Sequence, residues 1–300
     1  MSNTKLRSAD YSINEIVKIS SYRSYASRND MKVMLKKSIR DLHHLGFKIG
    51  HVKGFKAKHI YKLVEYWKEG EKSAGTIKNY LSKFRELGKI LKDDRLVSSD
   101  NQVYNIGSRK YFPTENKAIH SPDFSKCTDP LIRLSMEGQY LFGLRREESI
   151  KFIVSKAYTG GLSIHLERTW TKGGIERTIP ISSPEQLQWL FRVQDTVEEG
   201  RSLIYKDSNY SEQLNKYAYQ TRLLGLRKLH GLRHAYAQNR YRVLSAYYDP
   251  NKVGWECPYN GGKKFEEMTS EERNVDLKVR NILTREMGHS RLNILKSYLA

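Results

Sequence analysis

Apolar residues in this chain recur three and four positions apart in short stripes, and that spacing dictates a structure assembled from packed amphipathic helices. Met31, Met34, Leu35, Ile39, Leu42 and Leu45 form one stripe, with Asn29 or Asp30 available as a cap and Gly46 as a stop. Ile60, Leu63, Val64 and Trp67 mark a second helix ending near Gly70. Ile77, Tyr80, Leu81, Phe84, Leu87 and Leu91 mark a third, entered through Ser73-Ala74-Gly75-Thr76, and residues 11–26 suit a shorter helix. The short connections predict a small helical bundle.

From Asp93 to Asp129 the periodicity lapses and Asp, Asn, Ser, Gly and Pro accumulate, which predicts a linker with a short strand near Tyr111. A helix is expected around Leu131, Leu134 and Leu141. Leu162, Ile164 and Leu166 then alternate, as do Ile179 and Ile181, and the stretch between holds Trp170-Thr171-Lys172-Gly173-Gly174-Ile175. This reads as a β-hairpin whose turn carries a lysine. Helical patterns resume over 185–197, 231–248 and 275–287, with an irregular segment over 249–269. The expected fold class is mainly α with a small β-sheet, divided into a helical domain with linker (1–112) and a second domain (113–300).

Charge narrows the partner. Lys and Arg number 53 against 33 Asp and Glu, a net +20, and a polyanion is the natural partner of such a surplus. The first hundred residues carry 22 − 11 = +11 and the remaining two hundred 31 − 22 = +9, so the basic character is densest at the amino-terminal end. No apolar run approaches the roughly 18 residues that cross a bilayer, and the start Met1-Ser2-Asn3-Thr4-Lys5 lacks a signal peptide's apolar stretch. A cytoplasmic protein without membrane contact is expected. Cys127 and Cys257 are the only cysteines, too few for a disulfide framework or a thiolate zinc site, and both are expected to be reduced.

Four local patterns occur in order: Gly143-Leu144-Arg145-Arg146-Glu147-Glu148; Thr171-Lys172-Gly173-Gly174 followed by Arg177-Thr178-Ile179-Pro180; His230-Gly231-Leu232-Arg233-His234; and Gly288-His289-Ser290 with Tyr298 nine positions after the histidine. Each is weak alone, but the ordered set resembles the tyrosine recombinase, or phage integrase, family over residues 131–299. The resemblance implies catalytic roles for Arg145, Lys172, His230, Arg233, His289 and Tyr298, with Glu148 as the acidic residue that supports the first arginine. It further implies a SAM-like core-binding domain followed by an α+β catalytic domain, closing as a C-shaped clamp on duplex DNA, and a homotetramer in the synaptic complex that is a monomer or dimer when free. Lys78, Lys83, Arg85, Lys263 and Lys264 are the expected DNA-binding cations. No metal and no cofactor are implied.

The residue types suit that chemistry on their own terms. Two guanidiniums of fixed charge can clamp one phosphodiester, and a histidine donor adds stabilisation for charge growing on the non-bridging oxygens. A tyrosine hydroxyl, with an ordinary pKa of about 10, needs a base as it attacks, and His230 is the candidate. Lys172 can protonate the departing deoxyribose oxygen, although Lys156 lies nearby. Ordinary readings compete. A tyrosine near a chain end commonly packs, Arg145 can simply pair with Glu148, and His234 reads better as structural. His43, His44 and His59 show no ligand set.

Two features depart from the family pattern. Fifty-six positions separate Arg233 from His289, and the excess near 247–272 includes Trp255-Glu256-Cys257-Pro258 and Gly261-Gly262-Lys263-Lys264. This resembles an insertion in integrases of plasmids and integrative elements; a DNA-contacting loop, a subunit contact and an inert excursion are all compatible with its residues. The chain also ends at Ala300, where family members commonly continue into a helix that docks on the neighbouring subunit. The expected function is site-specific integration or excision of a mobile element through a 3′-phosphotyrosine intermediate. A catalytically silent DNA-binding relative and a type IB topoisomerase-like activity are the alternatives. In any of these, log affinity for duplex DNA is expected to fall steeply with log salt, by about 0.9 in slope per phosphate neutralised, as measured by anisotropy titrations at several ionic strengths.

Overall fold

The computed structural model describes residues 2–22, 24–109 and 112–300. The chain forms two compact units, Met1–Lys110 and Tyr111–Ala300. Among the described residues, no helix is long and apolar enough to cross a membrane.

The first unit holds α1 (Ser2–Lys18), α2 (Tyr25–His44), α3 (Ala57–Glu69) and α4 (Ala74–Leu91). The expected stripes are its core: Met31, Leu35, Ile39, Leu42, Ile60, Leu63, Trp67, Ile77, Leu81, Phe84 and Leu87 are all buried. α4 starts at the expected Ser73, whose hydroxyl accepts from the Thr76 amide. Two boundaries differ from expectation. The cap of α2 is Ser24, five residues upstream of Asn29, with its hydroxyl accepting from the Ser27 amide. The first helix spans 2–18 instead of 11–26, because Ala9, Ile13, Ile16 and Val17 already make a buried stripe and Ser20-Ser21 end it. The expected linker is also shorter than its composition suggests. Leu96, Val97 and Tyr104 pack into the first core, while Phe124 and Cys127 belong to a cluster of the second unit. The strand expected near Tyr111 falls at a position outside the described residues.

The second unit comprises α5 (Pro130–Phe142), α6 (Arg146–Ile150), α7 (Val154–Ala157), β1 (Ser163–Leu166), β2 (Arg177–Pro180), α8 (Pro184–Thr196), α9 (Tyr210–Leu223), α10 (His230–Tyr248), α11 (Ser270–Glu286) and α12 (Lys296–Leu299). β1 and β2 pair antiparallel with Ile164 opposite Ile179, both buried, and Lys172 lies in a 3-10 turn of their connection. α10 is the central helix, buried over most of its length and packed against α5, α11 and α12. α9 has no counterpart in the apolar pattern because its inner face is largely amide. Gln213 donates to the Leu203 carbonyl (2.9 Å), Gln220 to the Thr128 hydroxyl (2.8 Å), and Tyr217 accepts from Gln139 (2.7 Å).

One packing contact decides a competition between two effects. Gly138 sits inside α5, where alanine is intrinsically better by about 1 kcal/mol. A Cβ there would lie 2.5 Å from the Trp189 ring, which is fully buried, packed at a tilt against Phe142 and Phe152, and donates from Nε1 to the Leu134 carbonyl (3.0 Å). Overpacking of this kind costs about 1–3 kcal/mol. Gly138→Ala is therefore expected to lower stability despite the propensity gain, measurable as a lower urea midpoint with unchanged slope.

Candidate active site

The site is organised by the end of α11, where the last carbonyls of a helix have no intrahelical partners. Three arginines from three other elements supply them. Arg177 on β2 donates from Nε to the Glu286 carbonyl (2.8 Å), Arg233 on α10 donates from Nη2 to the Met287 carbonyl, and Arg145 at the cap of α6 donates from Nη2 to the Gly288 carbonyl (3.1 Å). Arg233 also donates from Nη1 to the Gly143 carbonyl, which is buried where α5 ends in a left-handed glycine.

A single buried carboxylate ties two of these arginines together. Glu148 accepts from the Arg145 amide and Nη1 (2.7 Å each) and from Arg177 Nη1 and Nη2 (3.0 and 2.7 Å). Burial alone would raise the Glu148 carboxyl. Hydrogen bonding and charge from Arg177, with Arg233 and Arg145 behind it, more than reverse this and hold it at about 2. The Glu286 carboxylate accepts from Arg240 (2.9 and 2.8 Å) and from the Tyr236 hydroxyl (3.2 Å).

Tyr298 is buried against this frame. Its hydroxyl lies 3.0 Å from His230 Nε2 and 3.5 Å from Arg233 Nε, and its ring centroid is 4.4 Å from that of His234 and 5.5 Å from that of His289. Arg233 Nη2 is also 3.3 Å from His289 Nε2. Burial first, then the positive charge of Arg233 and Arg145, lowers His230 to about 4 and His289 to about 3. His230 as a residue is exposed at the rim, but its ring is shielded by its neighbours, so the direction of the shift follows from packing as well as charge. His234 is lowered to about 4 by burial and by His230, Lys117 and Arg233. All three imidazoles are thus neutral at pH 7, and a neutral imidazole can accept the tyrosine proton. Burial lowers Arg233 to about 10, still well above neutrality.

Arg145, Glu148, His230, Arg233, His289 and Tyr298 are therefore brought together. Lys172 is not: it is exposed on the β1–β2 connection, and neighbouring Lys156 faces Glu167 (3.9 Å). Among the described residues, no group of three His, Cys, Asp or Glu is arranged to hold a metal ion.

No curated protein sequence matches the chain. The phage integrase N-terminal family matches residues 9–93, and the integrase family matches residues 108–239. The chain belongs to the phage integrase family of tyrosine recombinases. Its fold is similar to the Tn1549 transposon integrase solved with circular intermediate DNA (14% identity, 97% and 94% of the two chains covered, TM-score 0.55). It is similar also to XerH site-specific recombinase bound to difH (14%, 97% and 81%, 0.53) and to a lambda integrase dimer bound to a COC' core site (14%, 84% and 96%, 0.52).

Within this integrase fold several expected DNA-binding cations have internal partners. Arg85 donates to the Ser98 carbonyl (2.9 and 2.7 Å) and to Asn101 Oδ1 (2.6 Å), which makes it the anchor of the 98–101 loop. Lys83 pairs with Asp30, and Lys263 with Glu272 (2.7 Å). Lys78 is half-buried on α4, and Lys264 is exposed beside the second 3-10 turn of the 249–269 segment. Glu286 and Gln238 do not stand out in the sequence, and Arg177, though it falls within one of the four local patterns, has no role assigned there. For Arg177 a signal existed: the alternation that buries Ile179 puts Arg177 on the same inward face.

The histidines carry a pH consequence. Their folded values lie below 6.5, so below pH 6.5 the unfolded chain takes up protons that the folded site refuses, and stability falls as pH drops toward 4. Glu148 adds a further loss only below its ordinary 4.5. The melting temperature is expected to decline from pH 7 to pH 5, and His289→Gln to flatten that decline.

Proposed function

We propose that this protein is a site-specific DNA recombinase, an integrase of a mobile element, that breaks and rejoins duplex DNA through a tyrosine nucleophile. The observation that carries the reading is the Tyr298 hydroxyl 3.0 Å from a neutral His230, beside Arg233, with Arg145 and His289 from other elements completing the cluster. Duplex DNA as partner is carried over from the solved relatives and fits the net charge of +20.

In the proposed reaction Arg145 and Arg233 hold the non-bridging oxygens of one phosphate. Each guanidinium has five donors, and Glu148 and the end of α11 preset both groups, so little reorganisation remains when charge develops. Tyr298 Oη forms a bond to phosphorus as His230 Nε2 takes its proton. The P–O5′ bond breaks, and Lys172, swung in on its exposed connection, gives a proton to the leaving oxygen. The 3′-phosphotyrosine ester preserves the bond's free energy, and attack by another strand's 5′-hydroxyl reverses the step. Exchange between two duplexes breaks four strands and so calls for four tyrosines, hence a homotetramer at synapsis.

A nicked suicide duplex carrying the element's junction is expected to trap a covalent adduct on a denaturing gel, and Tyr298→Phe to abolish it. Arg145→Ala or Arg233→Ala is expected to cut adduct formation by about 10²–10³-fold while leaving salt-sensitive DNA binding largely intact. Absence of an adduct with the wild-type protein on every junction would favour the silent DNA-binding reading. Relaxation of supercoils without a specific site would favour the topoisomerase reading.

A further inference from the structure

The inserted segment 249–269 contributes no side chain to the cluster around the Tyr298 hydroxyl, yet it is folded to a definite shape. Gly261 takes a φ of +86°, and the Gly262 and Asn260 amides both donate to the Cys257 carbonyl (3.0 and 2.8 Å). A Cβ on Gly262 would lie 1.7 Å from the Glu256 carbonyl oxygen, so this turn closes only with glycine there. At its tip two adjacent residues reach the first stretch of the second unit. Tyr259 donates its hydroxyl proton to the Pro113 carbonyl (2.6 Å), and Asn260 Oδ1 accepts from Asn116 Nδ2 (2.9 Å).

From Asn116 the hydrogen bonds continue inward. Asn116 Oδ1 accepts from Gln238 Nε2 (2.8 Å), and the same buried amide nitrogen donates to the backbone carbonyl of Tyr298 (2.9 Å). Gln238 Oε1 can only accept, so His120 Nε2, at 2.9 Å, donates to it. Both ends of the Gln238 amide are thereby fixed.

This matters because α12 is a single turn, too short to hold its own geometry, and the Tyr298 carbonyl is one of its orphan C-terminal acceptors. His230, His234 and Gln238 stand at i, i+4 and i+8 on α10, so one helical face meets the hydroxyl, the ring and the carbonyl of Tyr298. A displacement of about 1 Å at a reacting group can cost about 10²-fold in rate.

We propose that Gln238 is a positioning residue for Tyr298, and that the inserted segment holds Gln238 in place through Asn260 and Asn116. Its catalytic consequence rests on the recombinase reading; the mechanical part does not.

The test is hydrogen exchange by mass spectrometry on the full chain, comparing wild type with Gln238→Leu and with Asn116→Ala and Asn260→Ala, whose altered side chains lie at exposed positions that tolerate truncation if the buried change disrupts folding. Loss of one hydrogen bond is expected to speed exchange over 292–300 by about fivefold to tenfold, with α5 and α8 unchanged. The Asn260→Ala and Gln238→Leu effects should be less than additive when combined, as expected of one chain of contacts. Unchanged exchange over 292–300 in the Asn116 and Asn260 variants overturns the role of the insertion, and unchanged exchange in Gln238→Leu overturns the inference as a whole. On the suicide duplex the same variants should form adduct more slowly at unaltered DNA affinity; faster exchange with an unaltered adduct rate refutes positioning. A wild type without any adduct counts against the recombinase reading, while the exchange data still decide whether the latch exists.

Discussion

Three consecutive carbonyls at the end of α11, those of Glu286, Met287 and Gly288, each accept a guanidinium proton from a different part of the second unit. A helix end of this kind carries partial negative charge as well as unsatisfied acceptors, so arginine suits it on both counts. The contacts join β2, α10 and the α5–α6 junction to α11, and the chain then turns through His289 toward Tyr298. Without them nothing in the local sequence of these elements would bring five separate segments to one point.

Glu148 makes the arrangement mutually dependent. Its carboxylate is fully buried, and such a charge is tolerable only when every acceptor position is used, as Arg145 and Arg177 ensure here. Removing one member of a buried ion pair typically costs about 3–5 kcal/mol, because the partner charge is left stranded. Burial, and after it this same concentration of positive charge, explains the neutral histidines. An imidazole beside Arg233 and Arg145 gains nothing by taking a proton, and so stays available as an acceptor toward Tyr298.

Much of the architecture was legible in the sequence because periodicity reports burial directly. The stripes at Met31–Leu45, Ile60–Trp67 and Ile77–Leu91 are the first core, and Ile164 and Ile179 are the paired strand positions. Legibility failed where burial is polar. α9 hides behind Gln213 and Gln220, and the helix around Tyr25 starts well before its apolar stripe because a serine cap, not an apolar residue, sets its beginning. In the site, Arg145, Glu148, His230, Arg233, His289 and Tyr298 could be named from motif spacing. Arg177 was legible only as an inward-facing strand position, and Glu286 not at all, since the contact between them joins residues 109 positions apart.

The sequence by itself determined the helical character of the chain, the basic charge and the identity of the residues beside the Tyr298 hydroxyl, His230 and Arg233. These depend on spacing and side-chain chemistry, which a linear pattern expresses in full. Tertiary structure decided which charges are committed internally: Arg85, Lys83 and Lys263 are engaged within the fold, while Lys172 remains exposed. It also decided the state of the histidines and the link from Asn260 through Gln238 to Tyr298. Desolvation and hydrogen-bond direction are properties of assembled neighbours, and no window of sequence contains them.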